Sequence, residues 1–245
     1  MRAMTDDDRI ELSLVIPAYN EEQSIEACVR EADGVLSRLG TRYEILVVDD
    51  GSTDGTFESL RPLKKSILAL RAVGFKEHRG QTTAMAAGFA HARGEILVTM
   101  DADMQNDPAD IPRLLEKMGE WDVVCGVREK RRDSFTKKAS SAVANSVRNR
   151  LTHERIRDVG CTLRAYRAGY VRRIKLFEGM HRFLPTLLKL EGARVVEIPV
   201  SHRARTRGTG KYGIADRLFK GLRDLFAVRW MQSRYIRYEI KEEIK

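Results

Sequence analysis

Cysteine is scarce, and the three present, Cys28, Cys125 and Cys161, stand far apart with no C-x-x-C pair. The odd number and wide spacing argue against a zinc site or a disulfide framework and favour a reducing compartment. No window approaches the roughly 20 apolar residues that cross a bilayer, so any membrane contact has to be peripheral. The opening MRAMTDDDRIEL has no apolar stretch of signal-peptide type, and a cytoplasmic chain is expected. G-x-x-x-x-G-K-[ST] is missing, which removes a P-loop NTPase. A G-x-G-x-x-G match at Gly208, Gly210 and Gly213 is followed by no returning strand, so the unit that binds a dinucleotide is incomplete. His78, His91, His153, His181 and His202 lack metal-ligand spacing; most read as surface or supporting groups, with His181 the one to watch. Internal repeats and low-complexity tracts are absent.

What is present is an ordinary folding composition, 42% hydrophobic and 32% charged over 245 residues. That length supports one sizeable core with additions rather than two domains. An excess of 44 Lys and Arg over 35 Asp and Glu gives a net charge of +9, which calls for an anionic partner: nucleic acid, nucleotide or acidic membrane.

Apolar runs alternate with amphipathic segments along the first half. LSLVIP (12–17) leads to a helix over about 24–39 that Gly40 stops. EILVV (44–48) leads through DDGSTDG to a helix near Thr56, with Asp54 as N-cap. A strand over about 67–73 precedes a helix QTTAMAAGFAHAR, whose small Ala84, Ala87 and Gly88 suit close packing on a sheet. ILVTM (96–100) runs into DADMQNDP, a helix over about 109–118, and a strand DVVCGVR (122–128). Apolar strands alternating with helices predict an α/β fold, a largely parallel sheet with helices on both faces. Beyond Arg128 come a basic amphipathic helix (134–151), an extended RDVGCTLRAYR, a helical HRFLPTLLKL, and strand character in ARVVEIPVSHRAR. A mobile loop RTRGTGKYG and a long basic amphipathic helix over about 214–240 complete the chain.

In such sheets ligands bind outside the carboxyl ends of the strands. AYNEE, Asp49 with Asp50, Asp101 with Asp103, and Arg128 all fall there. Asp101 and Asp103 would repel one another at the end of a buried strand unless a cation lay between them. Mg2+ or Mn2+, held by one or two carboxylates plus substrate phosphates, suits that place; Asp residues that only cap backbone N–H groups would give the same letters. Tyr19, Asn20 and Glu21 fit either a polar loop or a nucleoside pocket formed with Pro17 and Ala18. Asp49 and Asp50 fit either an Asx turn or a base and ribose acceptor. Arg128, Arg205 and Lys211 are solvated charges or, near a metal-bound diphosphate, neutralisers of developing negative charge.

VIPAYNEE, VVDDGSTDGT and MDADMQNDP together resemble the donor half of the family-2 glycosyltransferases over about 11–128. GVREKRRDS, DVGCTLRAYR, HRFLP and RTRGTGKYG extend the likeness to dolichyl-phosphate mannose synthases and their polyprenyl-phosphate relatives. The resemblance implies an inverting enzyme of GT-A fold, with residues 1–213 catalytic (donor half about 11–128, acceptor half about 129–213) and 214–245 a C-terminal basic helix. It implies nucleotide-sugar contacts from Pro17, Ala18, Tyr19, Glu21, Val48 and Asp50. Asp101, Asp103 and Gln105 would hold Mg2+ or Mn2+, and Ala102 would line the sugar side. Arg128 would face the reaction centre, and Arg205 and Lys211 would close over the diphosphate. Asp103, Arg128, Arg205 and Lys211 are thus the expected catalytic set. Gly210 stands where the family often has Ser.

The expected reaction moves mannose or glucose, from GDP-mannose or UDP-glucose, to a dolichyl or undecaprenyl phosphate. A phosphate monoester, with a second pKa of about 6, is already a dianionic nucleophile near neutral pH and needs no protein base. Arg131 and Lys137 are the candidates to grip it. A hydroxyl of a saccharide or protein is the alternative acceptor; the QxxRW motif of processive synthases is absent. Nucleic acid is not the expected partner, because the strand-end carboxylates would repel its backbone. The C-terminal helix fits an anionic membrane surface at the cytoplasmic face, alone or beside a membrane-spanning partner, and equally fits a helix packed on the domain.

Overall fold

A computed structural model of the chain describes residues 9–129, 149–152, 154, 156–204, 214–236 and 241–242, with residues 214–220 described by their backbone alone. Seven strands form one sheet in the order β3-β2-β1-β4-β6-β5-β7. β1 (Leu12–Ala18), β2 (Tyr43–Asp49), β3 (Leu70–Gly74) and β4 (Ile96–Thr99) are parallel neighbours. β5 (Val123–Arg128) and β7 (Val195–Val200) form a second parallel pair. Between the two groups lies β6 (Arg164–Arg167), antiparallel to both β4 and β5. RDVGCTLRAYR therefore enters the sheet only through its last four residues.

Two apolar layers cover the sheet, as the alternation of β1 dictates. Leu12, Leu14, Ile16 and Ala18 point to one side, where they meet helices α1 (Ile25–Leu36), α2 (Thr56–Ser66) and α4 (Ile111–Lys117). Val15 points to the other, against α3 (Gln81–His91), the short α5 (Ala168–Val171) and α6 (Leu184–Leu190). In α1 the buried Ile25, Cys28, Val29, Ala32 and Leu36 form the stripe expected of a helix lying on a sheet. α3 lies so close that a Cβ on Gly88 would stand 2.3 Å from Val15 Cγ1, which is the use the small residues predicted.

Local chemistry sets the ends of several elements. Asp54 caps α2 from one position further out than expected: Gly55 is the N-cap residue, and Asp54 Oδ1 accepts the Thr56 N–H at 3.0 Å. HRFLP splits into a 3-10 turn, Met180–Phe183, and α6. Pro185 then falls in the first turn of α6, where its missing N–H costs nothing. The C-terminal helix α7 (Ile214–Arg234) packs through Leu225 and Val228 on Met180, Phe183 and Leu187. Residues 237–240, expected to continue it, lie outside the described residues. All three cysteines are free and buried; burial pushes Cys125 up to about 12 and Cys161 up to about 11, so neither is a reactive thiolate. Among the described residues no helix is long and apolar enough to cross a membrane.

From β1 the chain steps to β2 and β3 on one side and then returns to β4 on the other. The carboxyl ends of β1 and β4 thus flank a topological switch point, where open α/β sheets bind ligands.

Candidate active site

Both loops at the switch point hold a residue in the left-handed region, Asn20 at φ 53° after β1 and Met104 at φ 65° after β4. Such conformations persist only where neighbours impose them. Asn20 is fixed by the following βα loop, its Oδ1 accepting the Thr53 N–H at 2.8 Å and its own N–H donating to Ser52 Oγ at 2.9 Å. Glu21 N–H donates to Thr56 Oγ1 at 2.8 Å. Two loops are thereby tied together beside the β1 end.

The Tyr19 ring stacks on His78, with centroids 4.0 Å apart. His78 in turn pairs with Asp50 at 2.8 Å, and Asp50 accepts the N–H groups of Arg79 (2.7 Å) and Gly80 (2.8 Å). Asp50 is therefore a clamp between the β2 end and the entry to α3, its oxygens already engaged. Asp49 accepts from the backbone and hydroxyl of Ser52, the Asx arrangement the turn allowed for. Gly51 adopts φ +68°, and a Cβ there would stand 2.4 Å from the Glu77 backbone, so glycine is required for this approach. Pro17 and Ala18 lie on β1 in register with Val48 and Asp49. The side chain of Val48 is fully buried on the α3 side of the sheet, which leaves its backbone to meet a ligand.

At the β4 end, buried Asn106 organises the carboxylate loop, its Oδ1 accepting from Asp101 N and Thr162 Oγ1, each at 3.1 Å. Asp101 Oδ1 accepts from Gln81 Nε2 at 3.1 Å, and Asp103 Oδ1 accepts the Gln105 N–H at 3.1 Å. Burial and the charge of Asp103 push the Asp101 carboxyl up to about 6, against the pull of Thr162, Arg128 and Arg164. A recessed pair of mutually repelling carboxylates is what a hard divalent cation relieves, so the donor set fits Mg2+ or Mn2+. Among the described residues no group of three His, Cys, Asp or Glu side chains gathers to hold an ion. The Gln105 amide lies 3.5 Å from His202 Nε2. Ala102 is buried in the core.

Arg128, expected to face the reaction centre, forms a two-pronged pair with Asp158, Nε to Oδ2 at 2.7 Å and Nη2 to Oδ1 at 2.8 Å. It still acts electrostatically on Asp101. Arg203 donates its N–H to Gln105 O at 2.9 Å and forks onto Glu31, so the chain enters RTRGTGKYG beside the carboxylate loop. Arg205 and Lys211, and likewise Arg131 and Lys137, lie outside the described residues.

A cavity of about 500 Å³ opens next to Asp101, lined by Gln81, Thr82, Gly160, Thr162, His181 and Arg182, with Arg223 and Asp224 of α7 completing its wall. Thr82 Oγ1 lies 2.6 Å from His181 Nδ1 and accepts the Gly179 N–H at 3.0 Å. Burial, then the charges of Arg182 and Arg164, push His181 down to about 3, so at neutral pH it is an uncharged hydrogen-bonding group. Arg182 makes no hydrogen bond or ion pair to any described residue. From the sequence, only His181 among these had been singled out; Asp158 and Arg182 stood unremarked inside DVGCTLRAYR and HRFLP, and Thr82 and Gln81 carried no motif-like signal.

His181 makes acid stability a direct test. With the folded pKa near 3 and the ordinary value at 6.5, the unfolded chain binds a proton that the folded chain refuses within that window. Stability is full above the window and falls as pH drops through it, by up to about 1.4 kcal/mol per pH unit. His181→Asn is expected to flatten the slope of urea-unfolding free energy between about pH 6 and about pH 4; parallel slopes would remove the assignment.

Residues 13–175 match Glycosyl transferase family 2, and the chain belongs to that family. Among curated proteins it is similar to a dodecaprenyl-phosphate galacturonate synthase of Rhizobium johnstonii, 40% identical over 238 residues that cover 95% of this chain and 69% of that one. It is also similar to an undecaprenyl-phosphate 4-deoxy-4-formamido-L-arabinose transferase of Klebsiella pneumoniae, 41% identical over 206 residues. That match covers 82% of this chain and 62% of the relative, so the chain spans less than two thirds of the Klebsiella protein. In fold it resembles a mannosyltransferase of Pyrobaculum calidifontis in complex with GDP-Man and Mn2+, with a TM-score of 0.65, 22% identity and coverage of 89% and 64%. It also resembles glucosyl-3-phosphoglycerate synthase of Mycobacterium tuberculosis in complex with Mn2+, UDP and phosphoglyceric acid, with a TM-score of 0.67, 20% identity and coverage of 93% and 80%. At such identities the likeness is one of fold. The expected family and the GT-A fold both hold.

Proposed function

We propose that this chain transfers a sugar from a nucleotide-sugar to a polyprenyl phosphate, with inversion, at the cytoplasmic face of a membrane. The observation that carries this reading is the Asp101 and Asp103 pair at the switch point, with the Tyr19 and His78 stack beside it. Asp101 and Asp103 would hold Mg2+ or Mn2+, with Gln105 the third candidate, and the ion would supply positive charge against the departing diphosphate. Tyr19 and the loop that Asp50 clamps would seat the nucleoside, and the cavity beside Asp101 would take the sugar. An oxygen of the acceptor phosphate attacks the anomeric carbon as the bond to the diphosphate breaks, so the sugar joins the lipid phosphate and a nucleoside diphosphate leaves. Arg128, Arg205 and Lys211 would neutralise charge on that leaving group, and Arg131 and Lys137 would grip the acceptor. The uncharged, hydrogen-bonded His181 is a poor base, which suits a phosphate nucleophile better than a hydroxyl.

The donor expected from the sequence carries mannose or glucose. One observation favours a second reading: Arg182, without a partner in the cavity wall, suits a sugar bearing a carboxylate, and galacturonate is the sugar in the Rhizobium relative's name. Product analysis with Mn2+ and undecaprenyl phosphate tests both. Incubation with GDP-mannose, UDP-glucose and UDP-galacturonate should yield one lipid-linked sugar. Arg182→Gln should lower transfer of a uronate by about a hundred-fold, on the scale of one lost charge-assisted contact, and leave a neutral hexose within a few-fold. Glycosylated saccharide with no lipid-linked product would instead favour a hydroxyl acceptor.

A further inference from the structure

The C-terminal helix has two apolar faces, and only one is used by the fold. Leu225 and Val228 are buried at 4% and 0% exposure, whereas Leu222, Phe226 and Trp230 are exposed at 40%, 63% and 64%. Spaced by four, these three form a stripe sweeping roughly 80° around the helix, with Arg229 on one flank and Arg223 and Arg234 on the other. Just past its end, Tyr235 and Ile236 are also exposed, Ile236 at 79%. Asp224 is the only carboxylate from Leu222 to Ile236 and is buried, so the exposed side carries three arginines and no acid.

We propose that this stripe is a docking surface for an anionic lipid bilayer, and that docking sets the cavity beside Asp101 against the membrane. An amphipathic helix lies in the interface by burying its apolar face and pairing flanking cations with anionic headgroups, and tryptophan is favoured at that depth. Leu222, Phe226 and Trp230 with their flanking arginines have this chemistry, whereas a protein partner would have to supply an apolar groove rimmed by acids. The location gives the docking its meaning. Arg223 and Asp224 belong to the cavity wall, one position along from Leu222, so a bilayer held on the stripe lies at the rim of the cavity. The inference rests on the lipid-phosphate reading above for its purpose, though not for its test.

Flotation with vesicles of phosphatidylglycerol or of phosphatidylcholine decides the docking. The wild-type chain should float with the anionic vesicles, less so with the neutral ones or at high salt, and Phe226→Glu with Trp230→Glu should weaken binding by at least about ten-fold. Both positions are exposed, so the thermal midpoint should not move. Transfer to undecaprenyl phosphate in vesicles should fall in parallel, while transfer to a short, water-soluble prenyl phosphate stays at the wild-type rate. Unchanged flotation of the double variant overturns the proposal. So does an equal loss with both acceptors, which would make the stripe a support of the cavity wall, or a wild-type dimer that the variant dissolves without any vesicle binding. If neither acceptor is glycosylated by the wild type, the transfer reading fails and flotation still decides the surface.

Discussion

Replacing Asp103 with alanine is expected to abolish metal-dependent nucleotide binding and to lower transfer by roughly a thousand-fold, about 4 kcal/mol of transition-state stabilisation. The carboxylates at the end of β4 stand at the switch point between β1 and β4, and their mutual repulsion is what a divalent ion would relieve. A nucleotide-sugar at about 100 times its dissociation constant should stabilise the wild type by about 2.7 kcal/mol with Mn2+ present. Thermal shift in the presence and absence of Mn2+ should find that increment missing from the variant. Asp103 also accepts the Gln105 N–H, so Asp103→Asn, which keeps an acceptor oxygen there, separates folding from chemistry. It should unfold like the wild type and still fail to bind. Retention of the full Mn2+-dependent shift by either variant would remove the carboxylate pair from the site.

Removing Asp158 should be the most damaging single change to stability outside the core. The Arg128 side chain is 15% exposed and that of Asp158 7% exposed, so Asp158→Ala takes a two-pronged partner from a nearly buried guanidinium and removes the acceptor of the Arg128 and Gly160 N–H groups. Loss of one partner from a buried pair costs about 3 to 5 kcal/mol. Urea unfolding should find the lower end of that range, since Arg128 keeps some access to water. The double change Arg128→Met with Asp158→Leu should recover part of the stability, because apolar residues of similar volume often replace a buried pair without penalty. Transfer should not recover if Arg128 serves the diphosphate. A stable Asp158→Ala variant would mean that the fork is loose; an active double variant would confine Arg128 to holding the fold.

How far the sequence foretold this arrangement depends on what kind of contact is involved. LSLVIP, EILVV and ILVTM were legible as strands because strands buried on both faces carry apolar residues at every position. The convergence of AYNEE, Asp101 and Asp103 followed from the rule that ligands gather at carboxyl ends. The direction of β6 was not legible, since a run such as RAYR carries no sign of parallel or antiparallel pairing. Ile67 read as the start of β3 yet closes α2 in an extended conformation, and the strand begins at Leu70; an apolar residue serves either end of that junction. Pairings across long separations were invisible: Arg128 meets Asp158 over 30 residues and Thr82 meets His181 over 99. Neither pair leaves a pattern in a linear reading. The hold of Asp50 on the entry to α3 was not legible, because a carboxylate beside a nucleotide pocket and a carboxylate bracing its loop look alike in one dimension. Trp230 passed unnoticed because a helix with two apolar faces differs little in periodicity from one with a single broad face.

β6 has a mechanical consequence. By pairing with β4 on one edge and β5 on the other, it stitches the donor-side strands to β5 and β7 as one continuous hydrogen-bonded surface. Rocking one half against the other would have to tear the β4–β6 or the β6–β5 ladder, so the sheet offers no hinge between the two halves. Closure over a substrate must therefore come from chain outside the sheet, and the distance from the carboxylate pair to the β5 end is set before any ligand arrives.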